Sequence, residues 1–231
     1  MDLMVRVAKE SRRVLKPTGS AVFILQPNSA RLGRMRPWLW EWLVWLCREW
    51  NIVQDVYWWS ITTMPANFKG LLRPSVKYCV WAGSPDCYRN QDTVLWTESQ
   101  RNAQQRLSER CNAGRILLPS GHSVDDAKCR AKAVERGGVT PFNCLPIPGA
   151  NLHHTKGHPA ATPPALCDWW LRYITRPGET VLDPFAGGGT VGESATKLGR
   201  RYIGIERYTP YLKIAEDRLS VSHVPAPVTL K

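Results

Sequence analysis

The sequence lacks any apolar run of the roughly 18 residues that a membrane-spanning helix needs. Its N-terminus also lacks a basic start followed by an apolar stretch, so no secretory signal is predicted and the cytoplasm is the expected compartment. The seven cysteines include no Cys-x-x-Cys pair, and their number is odd. These two absences argue against a zinc ribbon and against a disulfide framework, so reduced, packed thiols are expected.

Acidic residues are scarce relative to basic ones, since 19 Asp and Glu face 31 Lys and Arg for a net charge of +12. Residues 101–136 have the densest imbalance, with eight basic and four acidic side chains. A polyanion, most simply nucleic acid, is a candidate partner, while a basic protein without such a partner stays open from charge alone. Hydrophobic residues make up 43% of the chain and include 11 Trp, which excludes long disorder as the main state.

The hydrophobic pattern predicts alternating helices and strands. Helices are predicted over residues 2–15, 37–51, 164–175, 190–198 and 209–220. Strands are predicted over residues 21–25, 52–60, 76–81, 180–183 and 202–206. The strand–helix–strand–helix order after Pro163 predicts a parallel α/β unit. Residues 84–157 lack clear periodicity and are predicted to form an inserted region or small subdomain, with a short polar helix over 101–110.

A glycine-rich turn after a short strand is the strongest local signal. Its sequence is Val181-Leu182-Asp183-Pro184-Phe185-Ala186-Gly187-Gly188-Gly189-Thr190, followed by a predicted helix. Glycines let a ligand approach the backbone, and Glu206 at the end of the next strand can accept hydrogen bonds from both ribose hydroxyls. An acidic residue in the turn repels phosphate, which favours S-adenosylmethionine over a dinucleotide such as NAD. A plain strand–helix turn is the structural alternative.

These residues also carry a family resemblance. The segment Asp183–Thr190 resembles the cofactor motif of amino-methylating DNA methyltransferases, the N4-cytosine and N6-adenine enzymes. His158-Pro159-Ala160-Ala161-Thr162-Pro163 is similar to the start of the helix before that loop, with Thr162 replacing the usual aromatic residue. Arg12-Arg13-Val14-Leu15-Lys16-Pro17-Thr18-Gly19-Ser20, and then Trp59 through Met64-Pro65 to Arg73-Pro74-Ser75-Val76-Lys77-Tyr78, resemble target-side segments. This order resembles the permuted class often called beta.

The resemblance implies an α/β, Rossmann-like, mostly parallel methyltransferase sheet with an inserted target-recognition region. It implies a target-side half over 1–83, a variable DNA-recognition region over 84–157, a cofactor half over 158–222 and a loose tail over 223–231. The implied activity is methyl transfer from S-adenosyl-L-methionine to an exocyclic amino group in double-stranded DNA. Cytosine N4 is favoured over adenine N6 because of the Trp, Met-Pro and Arg-Pro segment.

The resemblance also assigns site residues. The cofactor-binding candidates are His158, Pro159, Thr162, Asp183, Pro184, Phe185, Ala186, Gly187, Gly189, Thr190, Ile205 and Glu206. Among them, Asp183 would face the amino-acid end of the cofactor or organise the loop, Glu206 would hold the ribose, and Phe185 and Ile205 would pack the adenine. The DNA-binding candidates are Arg73, Lys77, Arg101, Arg106, Arg110 and Arg115, which a solvated surface explains equally well.

The catalytic tetrapeptide of the family, Ser-Pro-Pro-Tyr or Asp-Pro-Pro-Tyr, does not occur in the sequence. It normally holds the exocyclic amine and stacks on a flipped base. Thr162-Pro163-Pro164-Ala165 lacks the aromatic residue, so no catalytic residue is assigned. By resemblance the strand that carries the motif lies between 180–183 and 21–25, and the chain alone is expected to be unstable without it.

Several alternatives follow from that absence. Three explanations for the missing tetrapeptide stay open: a misplaced start codon, a decayed gene fragment, or a split enzyme whose partner chain supplies the strand. A remnant that binds DNA or cofactor without turnover and a nicotinamide oxidoreductase are the rival functions, and a restriction nuclease is a possible companion. His153, His154 and His158 could bind a metal, but no carboxylate or cysteine is spaced to complete a site, so no metal is predicted.

Overall fold

The computed structural model describes residues 2–31, 33–60, 74–96, 132, 134–150, 161–221 and 229–230. The chain divides into two compact units, one formed by Met1–Arg89 and Asn143–Lys231 and the other by Asn90–Phe142. The helices of the first unit are α1 Asp2–Val14, α2 Trp38–Glu49, α3 Pro164–Ile174, α4 Thr190–Lys197 and α5 Thr209–Val221. Its strands are β1 Ser20–Leu25, β2 Ser29–Arg31, β3 Arg34–Met35, β4 Ile52–Trp59, β5 Val76–Gly83, β6 Cys144–Pro146, β7 Thr180–Asp183, β8 Arg201–Gly204 and β9 Thr229–Leu230. No described helix has the length and apolarity to cross a membrane.

A four-stranded sheet has the order β1-β5-β4-β6. Strand β5 runs antiparallel to β1 and to β4, and β4 runs parallel to β6. Leu25, Tyr78, Tyr57 and Cys144 lie in one row across the four strands. The carboxyl ends of β1, β4 and β6 therefore lie at the same edge of the sheet, together with the amino end of β5.

A second sheet has the order β7-β8-β9, and all of its pairs are parallel. Helix α4 joins β7 to β8, as parallel neighbours require a crossover. The strands pair in parallel here and in the β4–β6 pair, whereas β5 runs antiparallel to both of its neighbours. Antiparallel neighbours need no crossover, and the N–H of Ser60 donates to the carbonyl of Ser75 at 2.8 Å, closing the connection from β4 to β5.

In the segment after residue 222, which the sequence predicts to be a loose tail, the described residues are Thr229 and Leu230. Thr229 and Leu230 form the strand β9 and pair with Ile203 and Gly204 of β8. The two prolines of the tail lie before this strand, where they leave its ladder hydrogen bonds intact.

Helices cover both faces of the four-stranded sheet. On one face α1 and α2 pack against β1 and β5, around fully buried residues such as Ala8, Leu39 and Trp42. On the other face α3 packs Leu166 and Trp170 against β4 and β5. Apolar residues that recur every three to four positions along each helix produce these buried faces.

Helix α3 also faces the second sheet. Its Leu171 packs with Ala195 of α4, Tyr202 of β8 and Leu219 of α5. This one helix therefore contributes to two cores, because apolar residues occur on more than one of its sides. The arrangement holds the carboxyl ends of β7 and β8 on a packed base.

The unit Asn90–Phe142 has its two ends fastened to each other. A 3₁₀ helix spans Gln91–Val94, and Trp96 exchanges two backbone hydrogen bonds with Val139 at 2.9 and 3.0 Å. The Arg136 guanidinium donates to Asp92 at 2.5 Å and to Gln91 at 2.7 Å. The predicted helix over 101–110 lies outside the described residues.

Candidate functional site

The glycine turn leaves β7 at Asp183 and enters α4 at Thr190. Two backbone hydrogen bonds tie it to the end of β8, from the N–H of Ile205 to the carbonyl of Asp183 at 2.9 Å and from the N–H of Ala186 to the carbonyl of Ile205 at 3.0 Å. The carboxyl ends of these parallel strands thus present the turn at one edge of the sheet. In α/β folds this edge is where ligands bind.

Gly189 is required by both its backbone conformation and its surroundings. Its φ is +76°, in the left-handed region that glycine adopts without strain. A Cβ added at this position would lie 2.9 Å from the Cα of Ala215 in α5. The turn therefore packs directly against the backbone of a second helix, which fixes the position of the residues before it.

Glu206 is held by two backbone groups. Its Oε2 accepts a hydrogen bond from the N–H of Gly187 at 2.9 Å, and its Oε1 accepts one from the N–H of Tyr208 at 2.7 Å. Each carboxylate oxygen retains a lone pair for a further donor. A fixed carboxylate with spare acceptor capacity beside a glycine turn suits the hydroxyl groups of a sugar.

Asp183 lies beside Glu206 and is bound within the turn, since its Oδ1 accepts from the N–H of Phe185 at 3.0 Å. Burial raises the pKa of this carboxyl group, and the negative charge of Glu206 raises it further, while the hydrogen bond from Phe185 opposes both. Among the described residues, no Lys or Arg lies within ion-pair distance of either carboxylate. A ligand with positive charge would therefore relieve their mutual repulsion.

Exposed apolar side chains flank the two carboxylates. Phe185 is 60% exposed and Tyr208 is 55% exposed, and Ile205 is exposed as well. Large apolar side chains of this kind at the rim of a turn can pack on a flat ring. Tyr208 was not among the residues predicted from the sequence, although its position two residues after Glu206 is a signal that points to it.

A buried layer supports the turn from below. The side chain of Tyr202 occupies the space beside Gly192 and Gly204, where an added Cβ would lie 2.5 Å from its ring and 2.6 Å from its hydroxyl oxygen, respectively. Arg218 of α5 donates to Glu193 of α4 at 2.6 Å. These side chains join β8, α4 and α5 into one packed body, so that the turn has a rigid base.

The other predicted cofactor residues have different positions. Thr162 is half-buried just before α3, Pro184 is half-buried in the turn, and Ala186 and Thr190 are buried. His158 and Pro159 lie outside the described residues. Their roles therefore remain predictions.

Of the predicted DNA contacts, only Lys77 is among the described residues. Its Nζ lies 4.4 Å from the centre of the Trp58 ring, and burial lowers the pKa of its ammonium group. The remaining candidates lie outside the described residues: Arg73, Arg101, Arg106, Arg110 and Arg115. Within the described part of the chain no group of three His, Cys, Asp or Glu could hold a metal ion, and His153 and His154 fall outside it.

The structure thus places a glycine turn between two strand-end carboxylates, at the edge of a Rossmann-like sheet where α/β folds bind their ligands. The family described as DNA methylase, of the N6/N4 type, matches residues 1–217. This chain belongs to that family.

Relatives and solved structures agree with this membership. The Type II methyltransferase M.HinfI of Haemophilus influenzae is 28% identical over 218 residues, covering 91% of this chain and 49% of the relative. M2.DpnII of Streptococcus pneumoniae, also named a Type II methyltransferase, is 44% identical over 66 residues, covering 29% of this chain and 25% of the relative. The chain thus spans about half the length of the first relative and a quarter of the second.

The fold is shared with two solved proteins. The PvuII DNA methyltransferase (cytosine-N4-specific) has a TM-score of 0.69 at 20% identity, covering 97% of this chain and 72% of that chain. A putative DNA modification methylase from Thermus thermophilus, complexed with S-adenosyl-L-methionine, has a TM-score of 0.60 at 22% identity, covering 100% of this chain and 80% of that chain. The predicted α/β methyltransferase fold is confirmed by these similarities.

Proposed function

We propose that this chain binds S-adenosyl-L-methionine and transfers its methyl group to an exocyclic amino group of double-stranded DNA. The proposed compartment is the cytoplasm. The observation that carries the proposal is the pair formed by Asp183 and Glu206 at the glycine turn, two carboxylates without a described basic partner. Family membership and the cofactor complex of the Thermus thermophilus protein support the same choice.

Each part of the site has a role in this proposal. Asp183 faces the positively charged amino-acid end of the cofactor, and Glu206 accepts hydrogen bonds from the ribose hydroxyls. Phe185 and Ile205 pack the adenine ring, and Gly187 and Gly189 allow the backbone to approach. When bound, the cofactor supplies an electrophilic methyl group on a sulfonium.

Cytosine N4 is the proposed methyl acceptor, ahead of adenine N6. Support comes from the Trp59, Met64-Pro65 and Arg73-Pro74 segment and from the similarity to a protein named as cytosine-N4-specific. Residues 84–157 are proposed to read the DNA sequence, with Arg101, Arg106, Arg110 and Arg115 on phosphates. Arg73 and Lys77 are proposed to contact DNA near the target base.

The target base also needs groups that hold its amine. Among the described residues β1 pairs only with β5, and β7 pairs only with β8, so each strand has one open edge. We propose that a strand carrying Ser- or Asp-Pro-Pro-Tyr pairs at these edges, supplied by a further segment of the same polypeptide or by a partner chain. A restriction nuclease that recognises the same DNA sequence is proposed as a companion.

The first experiment is calorimetric titration of the 231-residue chain with S-adenosyl-L-methionine and, separately, with NAD. Binding of the first and not of the second supports the proposal, whereas preference for NAD would overturn it.

The second experiment incubates the chain with duplex DNA and labelled cofactor and identifies the methylated nucleoside by mass spectrometry. N4-methylcytosine supports the proposed acceptor, and N6-methyladenine would replace it. Cofactor binding without methylation would indicate that the strand with Ser- or Asp-Pro-Pro-Tyr must be supplied. In that case the chain is mixed with a second chain that contains this strand, and DNA methylation is measured again.

A further inference from the structure

A basic hairpin follows the carboxyl end of β1. It consists of β2 and β3, which pair Ser29 with Met35 and Arg31 with Arg34, and Gly33 in its turn has a φ of +77°. Gln26 to Trp40 contains no Asp or Glu, but it contains three arginines within six residues, Arg31, Arg34 and Arg36. The hairpin is therefore a short ribbon of strongly positive charge.

The base of this hairpin is fixed by one residue. Asn28 accepts a hydrogen bond from the N–H of Arg36 at its backbone carbonyl and one from the indole Nε1 of Trp38 at its side-chain oxygen, both at 2.9 Å. Trp38 in turn packs in the core between α2 and the sheet. The hairpin thus rises from an ordered base, which reduces the entropy lost when its arginines bind a partner.

Several other arginines of the chain form ion pairs or hydrogen bonds with groups of the protein itself. Arg13 pairs with Glu10, Arg176 with Glu179, and Arg12 donates to the backbone carbonyl of Glu49. By contrast, Arg34 and Arg36 are exposed and form no ion pair among the described residues. Their charge is available to an external anion.

The hairpin lies at a functionally relevant edge. It leaves β1 where Ser60 leaves β4 and where Lys77 enters β5, because the rows of the sheet place these strand ends together. Ser60 and Ser75, which are hydrogen-bonded to each other, also lie at this edge. An anion at this edge would meet the hairpin, which is anchored through Trp38 on the face that α1 and α2 cover, whereas Lys77 stacks on Trp58 on the α3 face.

We propose that the hairpin Ser29–Met35, with the adjoining Arg36, is a DNA-backbone contact that holds the duplex through phosphates, independently of its sequence. The inference rests on the proposed DNA substrate. Arginine suits this role because its guanidinium donates two parallel hydrogen bonds to a phosphate. Rigid backbone contacts of this kind set the register of a protein on DNA without reading bases.

The test compares two double variants that each remove two positive charges from exposed positions. Arg34→Gln with Arg36→Gln changes the hairpin, and Arg6→Gln with Lys9→Gln on α1 is the matched control. Binding to a mixed-sequence duplex of about 30 base pairs is measured by fluorescence anisotropy between about 50 and 200 mM salt. Thermal melting and titration with S-adenosyl-L-methionine report folding and the cofactor site.

The hairpin variant is expected to bind DNA about 25-fold more weakly, with the slope of log affinity against log salt reduced by about 1.8. The control should retain affinity and slope, and both variants should keep their melting temperature and cofactor affinity. Equal losses in both variants, or no loss in the hairpin variant, would overturn the hairpin contact and leave the proposed function intact. Absence of DNA binding by the unmodified chain would overturn both.

Discussion

The carboxylate of Glu206 accepts a hydrogen bond from the backbone N–H of Gly187 at 2.9 Å, across 19 residues of sequence. This bond joins the end of β8 to the middle of the glycine turn. Since Tyr208 donates to the other carboxylate oxygen, the side chain has one favoured orientation. The proposed ribose acceptor is therefore positioned before any ligand arrives.

Replacing Glu206 with Gln should weaken cofactor binding. The amide has one acceptor oxygen and a donor NH₂, so one of the two backbone N–H groups would face another donor. We expect the affinity for S-adenosyl-L-methionine to fall about 10- to 100-fold, measured by calorimetry. Glu216→Gln, at an exposed position of α5, is the control and should bind normally. Unchanged affinity in Glu206→Gln would remove Glu206 from the cofactor site.

Asp183→Asn should separate stability from binding. Burial raises the pKa of the Asp183 carboxyl group, so folding favours its protonated form. This contribution to stability is present below the ordinary pKa of an aspartate and is lost as pH rises through the raised value. The asparagine oxygen can still accept from Phe185, but it carries no charge.

The expected result is a variant that melts at a higher temperature than the unmodified chain at neutral pH and binds the cofactor more weakly. The difference in melting temperature should shrink as pH falls through the raised pKa of Asp183 and should be gone below about 4, the ordinary pKa of an aspartate. Melting curves from about pH 3 to 8 and titration with S-adenosyl-L-methionine measure both effects. A variant that melts lower at neutral pH would show that the charge of Asp183 stabilises the fold.

The glycine turn could be predicted from sequence because its signals are local. A strand ending in Asp183, three glycines and the start of a helix lie within ten residues, and the regular spacing of apolar residues predicted the helices α1 to α5 to within two residues at either end, although not the helical residues 134–136. Strand direction was less accessible. The apolar runs of β1 and β5 indicate burial but not orientation, so the antiparallel pairing of β5 was missed.

Contacts between distant residues were also missed. Nothing in the local sequence indicates that Arg200 reaches Thr175, or that Trp38 fastens the β2–β3 hairpin through Asn28. Such contacts depend on which elements pack together, and the polar residues involved have no periodic pattern. The sequence therefore identified the turn and its carboxylates but not the side chains that support the elements around them.

Arg200 should be essential for stability. Its buried guanidinium donates to Thr175 Oγ1 at 3.0 Å and to the carbonyl of Thr175 at 2.8 Å, and it also reaches the carbonyl of Leu171 at the end of α3. Arg200→Met keeps the apolar length of the side chain but removes the guanidinium donors to Thr175 Oγ1 and to the carbonyl of Thr175, while the carbonyl of Leu171 still accepts from Thr175. We expect a loss of about 2–3 kcal/mol in the free energy of unfolding, measured with urea.

The neighbouring Arg201 supplies the control for that experiment. It is exposed on β8, so Arg201→Gln should change the unfolding free energy by less than about 0.5 kcal/mol. If both substitutions had the same small effect, the hydrogen bonds of Arg200 to the end of α3 would contribute little to the fold.

Gly189→Ala should destabilise the chain more than Gly199→Ala. The two glycines have nearly equal φ values of +76° and +73°, so alanine imposes a similar backbone strain at both, about 1–2 kcal/mol. Their surroundings differ, because an added Cβ at Gly199 meets nothing within 4 Å, whereas one at Gly189 meets the Cα of Ala215 at 2.9 Å. The backbone of Ala215 cannot rotate away as a side chain can. Gly189→Ala should therefore lower the free energy of unfolding, measured with urea, by about 1–3 kcal/mol more, which is the usual cost of overpacking. It should also weaken binding of S-adenosyl-L-methionine, while Gly199→Ala leaves binding unchanged. Equal unfolding free energies for the two variants would show that α5 moves to accept the methyl group, and the turn would then owe its shape to the hydrogen bonds with β8 and Glu206 rather than to packing on α5.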